Sequence, residues 1–113
     1  MKAQRFRLVV SDLHLGTGGR RGAFNPLEDF YEDDRFAELL EHYTSGELRD
    51  AEVELIFNGD IFDLLKVPLD GTVPDEVTEE MAARKLMLCL EGHPVFCNAI
   101  VRFLERPGNR LVY

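Results

Sequence analysis

A chain of 113 residues that is 45% hydrophobic and 30% charged has the length and composition of one globular domain. Its formal net charge of −8 repels nucleic-acid phosphates, which argues against a surface for non-specific nucleic-acid binding. No apolar run approaches the ~20 residues of a membrane span or forms the apolar core of a signal peptide. We therefore expect no transmembrane segment and a cytoplasmic location.

The first predicted element is a strand at residues 6–10, where a near-continuous apolar run is typical of a strand covered on both faces. The run stops at Ser11-Asp12. Residues 16–22 are rich in glycine and arginine, and they predict a flexible basic loop that closes near Asn25-Pro26.

A helix is predicted from about residue 32 to residue 43, because Phe36, Leu39, Leu40 and Tyr43 recur at the spacing of one buried stripe. Gly46 is predicted to stop it. We interpret the acidic cluster around its beginning as a solvated helix start that complements the helix dipole, rather than as a metal site. The cluster consists of Glu28, Asp29, Glu32, Asp33 and Asp34.

The second predicted strand covers residues 53–57 and ends in the polar residues 58–60. Two helices follow, at about residues 75–90 and 95–105, and a third strand begins at residue 111. The order β-α-β-α-α-β, with helical crossovers between strands, predicts an α/β fold with a mainly parallel sheet. No linker marks a domain boundary.

Two of the predicted strands end in side chains that bind metals. Asp12 and His14 follow the first strand and Asp60 follows the second, and ligands gather at the carboxyl ends of parallel strands. In an extended chain, residues i and i+2 point to one side, so Asp12 and His14 are expected to reach the same point. Gly59 would let the backbone approach a crowded site. Carboxylate and imidazole suit manganese, iron or zinc rather than calcium.

The two segments that contain these residues resemble the first two motifs of the calcineurin-like metallophosphoesterases. Residues 11–15 (SDLHL) match D-x-H after the first strand, and residues 58–63 (NGDIFD) match G-D-x-x-D after the second. The sequence D-L-H-L at residues 12–15 is most similar to the corresponding motif of the UDP-2,3-diacylglucosamine pyrophosphatase branch. The resemblance implies that residues 1–113 are the N-terminal part of a single metallophosphoesterase domain. They would form the start of its layered sandwich, with an incomplete sheet.

The resemblance also implies a ligand set for two divalent metal ions, with Mn²⁺ preferred and Fe or Zn as alternatives. Asp12 and His14 would hold the first ion, and Asp60 would bridge both. Three neighbours would support the ligands without touching the metal: Asp63, Asn58 and Gly59. An ordinary strand-end hydrogen bond is the alternative for Asn58. The ions would generate a hydroxide for in-line attack on a phosphate ester or pyrophosphate, with no catalytic residue beyond the ligands.

The family's third motif, G-N-H-[DE], does not occur in the sequence. Gly108-Asn109 precedes the third strand instead of following it, and we interpret it as a turn. We expect the motif to lie beyond Tyr113, so that the 113 residues alone would bind a single metal weakly and show negligible turnover. An exposed sheet edge would then favour self-association.

Further charged, imidazole and thiol side chains lie outside these motifs. Arg20 and Arg21 would contact the phosphate of a small-molecule or lipid-linked substrate, or are solvated charges in the loop. His93 is predicted to be a cap or turn residue, and His42 a half-exposed helical residue. The two helical cysteines, Cys89 and Cys97, are interpreted as small buried hydrophobic residues. If two helices meet between them, a disulfide is geometrically allowed.

Two other classes of function compete with the phosphoesterase. A non-catalytic scaffold on the same fold, like the retromer subunit that resembles these enzymes, would lack the downstream Asn and His ligands. A haloacid-dehalogenase-like phosphatase needs an aspartate two residues after its nucleophile. His14 occupies that position, so this class ranks last.

Overall fold

A computed structural model describes residues 4–19, 25–69 and 78–113. Its elements, in chain order, are β1 (Arg5–Ser11), α1 (Asp33–His42), β2 (Glu52–Asn58), α2 (Glu79–Gly92), α3 (Pro94–Leu104) and β3 (Arg110–Val112). Short 3₁₀ turns lie at Gly46–Leu48 and Leu64–Lys66. The predicted order of three strands and three helices is confirmed. The start predicted for the second helix, at residue 75, lies outside the described residues.

The three strands form one parallel sheet in the order β1-β2-β3. Leu55 in the central strand pairs with Leu8 on one side and with Leu111 on the other. The helical crossovers explain this arrangement, because parallel strands cannot be joined by tight hairpins. At the carboxyl edge Ser11 lies opposite Asn58, so the chain leaves β1 and β2 at neighbouring points.

The two faces of the sheet differ in burial. Val53, Leu55 and Phe57 of β2 are buried on one face. On the other face Val9 is 61% exposed, and Arg5 pairs with Glu52 across the strands at 3.1 Å. The prediction that the first strand is covered on both faces is therefore wrong within the described residues. Its residues alternate between exposed and half-buried.

Residue contacts divide the chain into two compact units. The first consists of Met1–Asp12, Glu32–Gly59 and Val95–Tyr113, and it contains the sheet, α1 and most of α3. The second consists of Leu13–Tyr31 and Asp60–Pro94, and it contains α2. The single-domain organisation of residues 1–113 stays a prediction.

The first unit has an aromatic core. Phe96 is fully buried and stacks on Phe36 with ring centroids 4.3 Å apart, and its centroid is 6.0 Å from that of Phe57. Such pairs each add about 0.5–1.5 kcal/mol to the effect of area burial. The predicted stripe of α1 is confirmed for Phe36 and Leu40, which are buried. Leu39 is 36% exposed, so its predicted burial is wrong.

In α3 the buried stripe consists of Phe96, Ala99 and Phe103. Leu104, the residue after Phe103, is 44% exposed. The helical repeat explains this difference. Phe103 lies seven residues after Phe96 and returns to the same face, whereas the next residue is turned about 100° away.

The second unit buries Leu15, Ile61, Val67 and Cys89 almost completely. Lys85 is also fully buried, and its Nζ donates a hydrogen bond to the Leu64 carbonyl at 2.9 Å. No single helix within the described ranges is long and apolar enough to cross a membrane. Only α2 and α3 taken together, as a bent pair, meet that test of length and composition.

The face that α2 buries was not predicted. Leu88 and Ala83 are exposed, whereas Lys85 and Cys89 are buried. Residues 86–90 are apolar around the whole helix, so periodicity does not select one face. The helix begins after Thr78, whose side-chain oxygen accepts a hydrogen bond from the Met81 N–H at 3.2 Å.

Candidate metal-binding site

The pairing of the first two strands is interrupted and then resumes. After Ser11 pairs with Asn58, the next bonds of the β type are made by Leu15. Its N–H donates to the Ile61 carbonyl at 2.8 Å, and its carbonyl accepts from the Asp63 N–H at 2.9 Å. The interruption therefore consists of two short segments, residues 12–14 and 59–60, that leave the sheet side by side.

The backbone is left-handed at two residues of the first segment. Asp12 has φ 53° and His14 has φ 54°, and they are the non-glycine residues with positive φ in the described part of the chain. Such a conformation costs on the order of 1–3 kcal/mol and persists where the surroundings enforce it, often at functional sites. The predicted reason for the approach of Asp12 and His14, an extended i, i+2 geometry, is therefore wrong.

Asp12, His14 and Asp60 come together despite this different backbone. Each offers one ligand atom, and these atoms all lie within 4.8 Å of one another. Donors held at roughly 2.0–2.2 Å from one cation lie at most about 4.4 Å apart, so small side-chain movements would suffice. The two aspartates are exposed and the histidine is half-buried, which leaves the group accessible from solvent.

Gly59 lies directly against Asp12. A Cβ at position 59 would be 2.8 Å from Oδ1 of Asp12, and the residue has φ 79°. Any L side chain would thus meet both a steric and a conformational penalty. The close approach of backbone to carboxylate is the role that the sequence predicts for this glycine.

Asp63 contacts the imidazole of His14. Its Oδ2 lies 3.4 Å from Nδ1 of His14, and the side chains of Asp63 and His14 are 15% and 38% exposed, respectively. A carboxylate beside one ring nitrogen fixes the orientation of an imidazole whose other nitrogen binds a metal. Asn58, the third predicted neighbour, is exposed at the end of β2.

Glu28 was predicted to be part of a solvated helix start, and this is wrong. Its side chain is buried, whereas Asp33 and Asp34 do lie in the first turn of α1. One carboxylate oxygen accepts the Gly16 N–H at 2.6 Å, and the other accepts the Gly18 N–H at 2.7 Å. The loop predicted to be flexible is therefore held in place at residues 16–18. The remaining prediction for that loop, Arg20 and Arg21 as phosphate contacts, lies outside the described residues.

His93 contacts the same carboxylate. Its Nε2 meets Oε1 of Glu28, and the ring is 3% exposed. The N–H of His93 also donates to the Leu90 carbonyl at 3.3 Å, in the turn that was predicted. No sequence signal relates this histidine to a glutamate 65 residues away. His42 is exposed on α1, with its ring against the edge of Tyr43.

The cysteines do not form a disulfide, and Cys89 is a poor nucleophile. Burial raises the pKa of the Cys89 thiol to about 11, with further contributions from the charges of Glu28 and Asp63 and an opposing one from Lys85. Its Sγ lies 3.7 Å from the Leu15 carbonyl. Burial and Asp33 raise the pKa of Cys97 as well. Thiolate chemistry is therefore suppressed at both positions near neutral pH.

Comparisons with protein-family models, with curated proteins and with solved structures find no match for this chain. An interpretation of the group Asp12, His14 and Asp60 therefore depends on its geometry and on its motifs.

Proposed function

We propose that this chain provides the first metal-binding half of a two-metal phosphoesterase site. Asp12 and His14 would hold one divalent cation, and Asp60 would bridge it to a second. The observation that supports this most strongly is the convergence of the three donors at the ends of two neighbouring parallel strands. Left-handed backbone at Asp12 and His14 supports the same interpretation, because such strain clusters at functional sites.

The donor set matches the metals that such a site would take. Two carboxylates and one imidazole suit Mn²⁺, with Fe and Zn as alternatives. Bound divalent cations polarise phosphoryl oxygens and lower the pKa of water for attack on phosphorus. Asp63 would orient His14 toward the metal, and Gly59 would leave room for Asp12.

The substrate class follows from the motifs and the charge. A phosphate ester or pyrophosphate, on a small molecule or a lipid, is the substrate that the resemblance of residues 11–15 and 58–63 implies. The chain carries a net charge of −8, so an anionic substrate would depend on bound cations to reverse the local field. We therefore expect metal to be required for substrate binding as well as for hydrolysis.

The proposal extends to the fold. We assign the parallel sheet to the start of the layered metallophosphoesterase sandwich. The exposure of Val9 (61%) and Val112 (41%) supports this assignment, because purely parallel sheets are usually covered on both faces. A further layer on this face would bury both side chains.

The test is expression of the complete open reading frame that encodes these residues, followed by assay of Mn²⁺-dependent hydrolysis of bis-p-nitrophenyl phosphate. We expect Asp60→Asn to lower kcat at least about 100-fold, because even residues that only support ligands alter metal sites 10- to 100-fold. Asp34→Asn, an exposed carboxylate on α1, is the matched control and should leave kcat unchanged. A protein that binds Mn²⁺ but does not hydrolyse the ester would contradict the proposal and favour the scaffold.

A further inference from the structure

The second unit contains a buried carboxylate–imidazole pair. Neither of its residues belongs to the group Asp12, His14 and Asp60. Glu28 is 5% exposed and His93 is 3% exposed, and Nε2 of His93 contacts Oε1 of Glu28. The ring of His93 also packs near Phe30, with centroids 6.0 Å apart. Burying two such groups is costly unless their polar atoms are satisfied.

The carboxylate of Glu28 accepts three backbone N–H groups, two of which belong to residues 16–18. Oε2 accepts the Gly16 N–H at 2.6 Å and the Asp29 N–H at 3.2 Å. Oε1 accepts the Gly18 N–H at 2.7 Å in addition to its contact with His93. Hydrogen bonds to an ionised acceptor are short and strong, so Glu28 binds residues 16 and 18 firmly.

The glycines of this loop are required by its close packing. A Cβ on Gly16 would be 2.9 Å from Oε2 of Glu28, and a Cβ on Gly18 would overlap the Gly92 carbonyl. The backbone of the loop thus packs directly on the end of α2 at Gly92, the residue before His93. Nδ2 of Asn25 also donates to the Gly18 carbonyl at 2.9 Å.

The loop held in this way begins two residues after His14. The N–H of His14 itself donates to the Asp60 carbonyl at 3.1 Å, and Leu15 pairs with the segment after β2. His14 has φ 54°, a strained conformation that persists only where surrounding contacts hold the backbone. The bond to the Asp60 carbonyl holds the N–H of His14 itself. The two residues that follow are held by the pairing of Leu15 and by the bond between the Gly16 N–H and Glu28.

We infer that Glu28, secured by His93, is a positioning residue that keeps His14 in the left-handed conformation in which its ring joins Asp12 and Asp60. The conformational part of this inference is independent of any metal. Its consequence for metal affinity rests on the proposed function. Glu28 does not touch the metal, and it acts only through the backbone of residues 15–18.

The test compares the wild-type chain with Glu28→Gln, His93→Ala and His93→Gln. In NMR spectra of ¹⁵N-labelled protein, the amide and Hα protons of His14 give a strong NOE only at positive φ. The amide protons of Gly16 and Gly18 report directly on their bonds to the carboxylate. Mn²⁺ affinity and the visible spectrum of bound Co²⁺ are measured on the same samples, and urea unfolding checks that each variant folds.

We expect Glu28→Gln to weaken the His14 NOE, to shift both glycine amides upfield, and to lower Mn²⁺ affinity about 10- to 100-fold. His93→Gln should restore most of what His93→Ala loses, because the glutamine amide can still donate to Glu28. Glu91→Gln, an exposed glutamate in the last turn of α2, is the matched control and should behave as wild type.

An unchanged His14 NOE in folded Glu28→Gln would overturn the inference, and so would unchanged Mn²⁺ affinity and Co²⁺ spectrum despite shifted glycine amides. If Glu28→Gln does not fold, the two His93 variants decide by the same measurements. A wild-type chain that binds no metal would contradict the proposed function alone, and the His14 NOE would still decide whether Glu28 positions that residue.

Discussion

A Cβ on Gly59 would lie 2.8 Å from Oδ1 of Asp12. The two residues leave neighbouring strands at the same edge of the sheet, and the glycine directly precedes Asp60. Its positive φ of 79° imposes a second requirement for glycine. The geometry of the candidate site therefore depends on a residue that carries no ligand atom.

Gly59→Ala is predicted to weaken Mn²⁺ binding roughly tenfold or more, because the new Cβ displaces the Asp12 carboxylate. Gly46→Ala is the matched control, since Gly46 also has positive φ (57°) but a Cβ there would meet no other atom within 4 Å. Both variants should lose about 1 kcal/mol of unfolding free energy from backbone strain. Urea unfolding and Mn²⁺ titration check this, and equal Mn²⁺ affinity in the two variants would contradict the steric role of Gly59.

Asp63→Asn is predicted to lower Mn²⁺ affinity about 10- to 100-fold while Asp12, His14 and Asp60 remain in place. The reason is the contact between Oδ2 of Asp63 and Nδ1 of His14, which loses its negative charge in the variant. Isothermal titration calorimetry with Mn²⁺ measures the change. An affinity equal to that of Asp34→Asn would show that Asp63 does not support the ligand.

Phe96→Ala is predicted to lower the free energy of unfolding by about 3–5 kcal/mol, because it removes a fully buried ring from the aromatic core of the first unit. Val101→Ala on the same helix alters a side chain that is 56% exposed, and it should cost well under half as much. Urea unfolding followed by circular dichroism gives both values. Similar losses in the two variants would mean that α3 does not pack as described.

Cys89 is predicted to make stability fall at alkaline pH. Its thiol has a pKa of about 11 in the folded chain against 9.0 ordinarily, so between these values the unfolded chain releases a proton that the folded chain keeps. Raising the pH through this window therefore favours unfolding, by roughly 1–3 kcal/mol in total. The wild-type advantage over Cys89→Ala in urea should shrink between pH 8 and pH 11. Parallel pH curves for the two proteins would contradict the shifted pKa.

The parallel sheet and the proximity of the candidate metal ligands could be predicted from the sequence. Apolar strands separated by helices require parallel crossovers, and parallel crossovers bring the carboxyl ends of β1 and β2 together. Polar residues directly after both strands are therefore expected at neighbouring points of this edge. The prediction for Asp12 and Asp60 depends on this topology alone.

The left-handed backbone and the buried pair could not be predicted. The positive φ of His14 accompanies pairing with the segment after β2 at His14 and Leu15, and such pairing is a tertiary contact rather than a local preference. The contact between Glu28 and His93 joins residues 65 positions apart, without any repeat or motif to relate them. Glutamate and histidine usually lie on the surface, so residue type alone does not predict that Glu28 and His93 are buried.

Titration of the 113-residue chain with Mn²⁺, followed by electron paramagnetic resonance of the free ion, tests the proposed metal site most directly. We predict that the wild-type chain binds a single Mn²⁺ ion. Asp12→Asn, His14→Gln and Asp60→Asn should each weaken binding at least about 100-fold, whereas Asp34→Asn should match wild type. Absence of binding by the folded wild-type chain, or equal affinity in all four variants, would contradict a metal site formed by Asp12, His14 and Asp60.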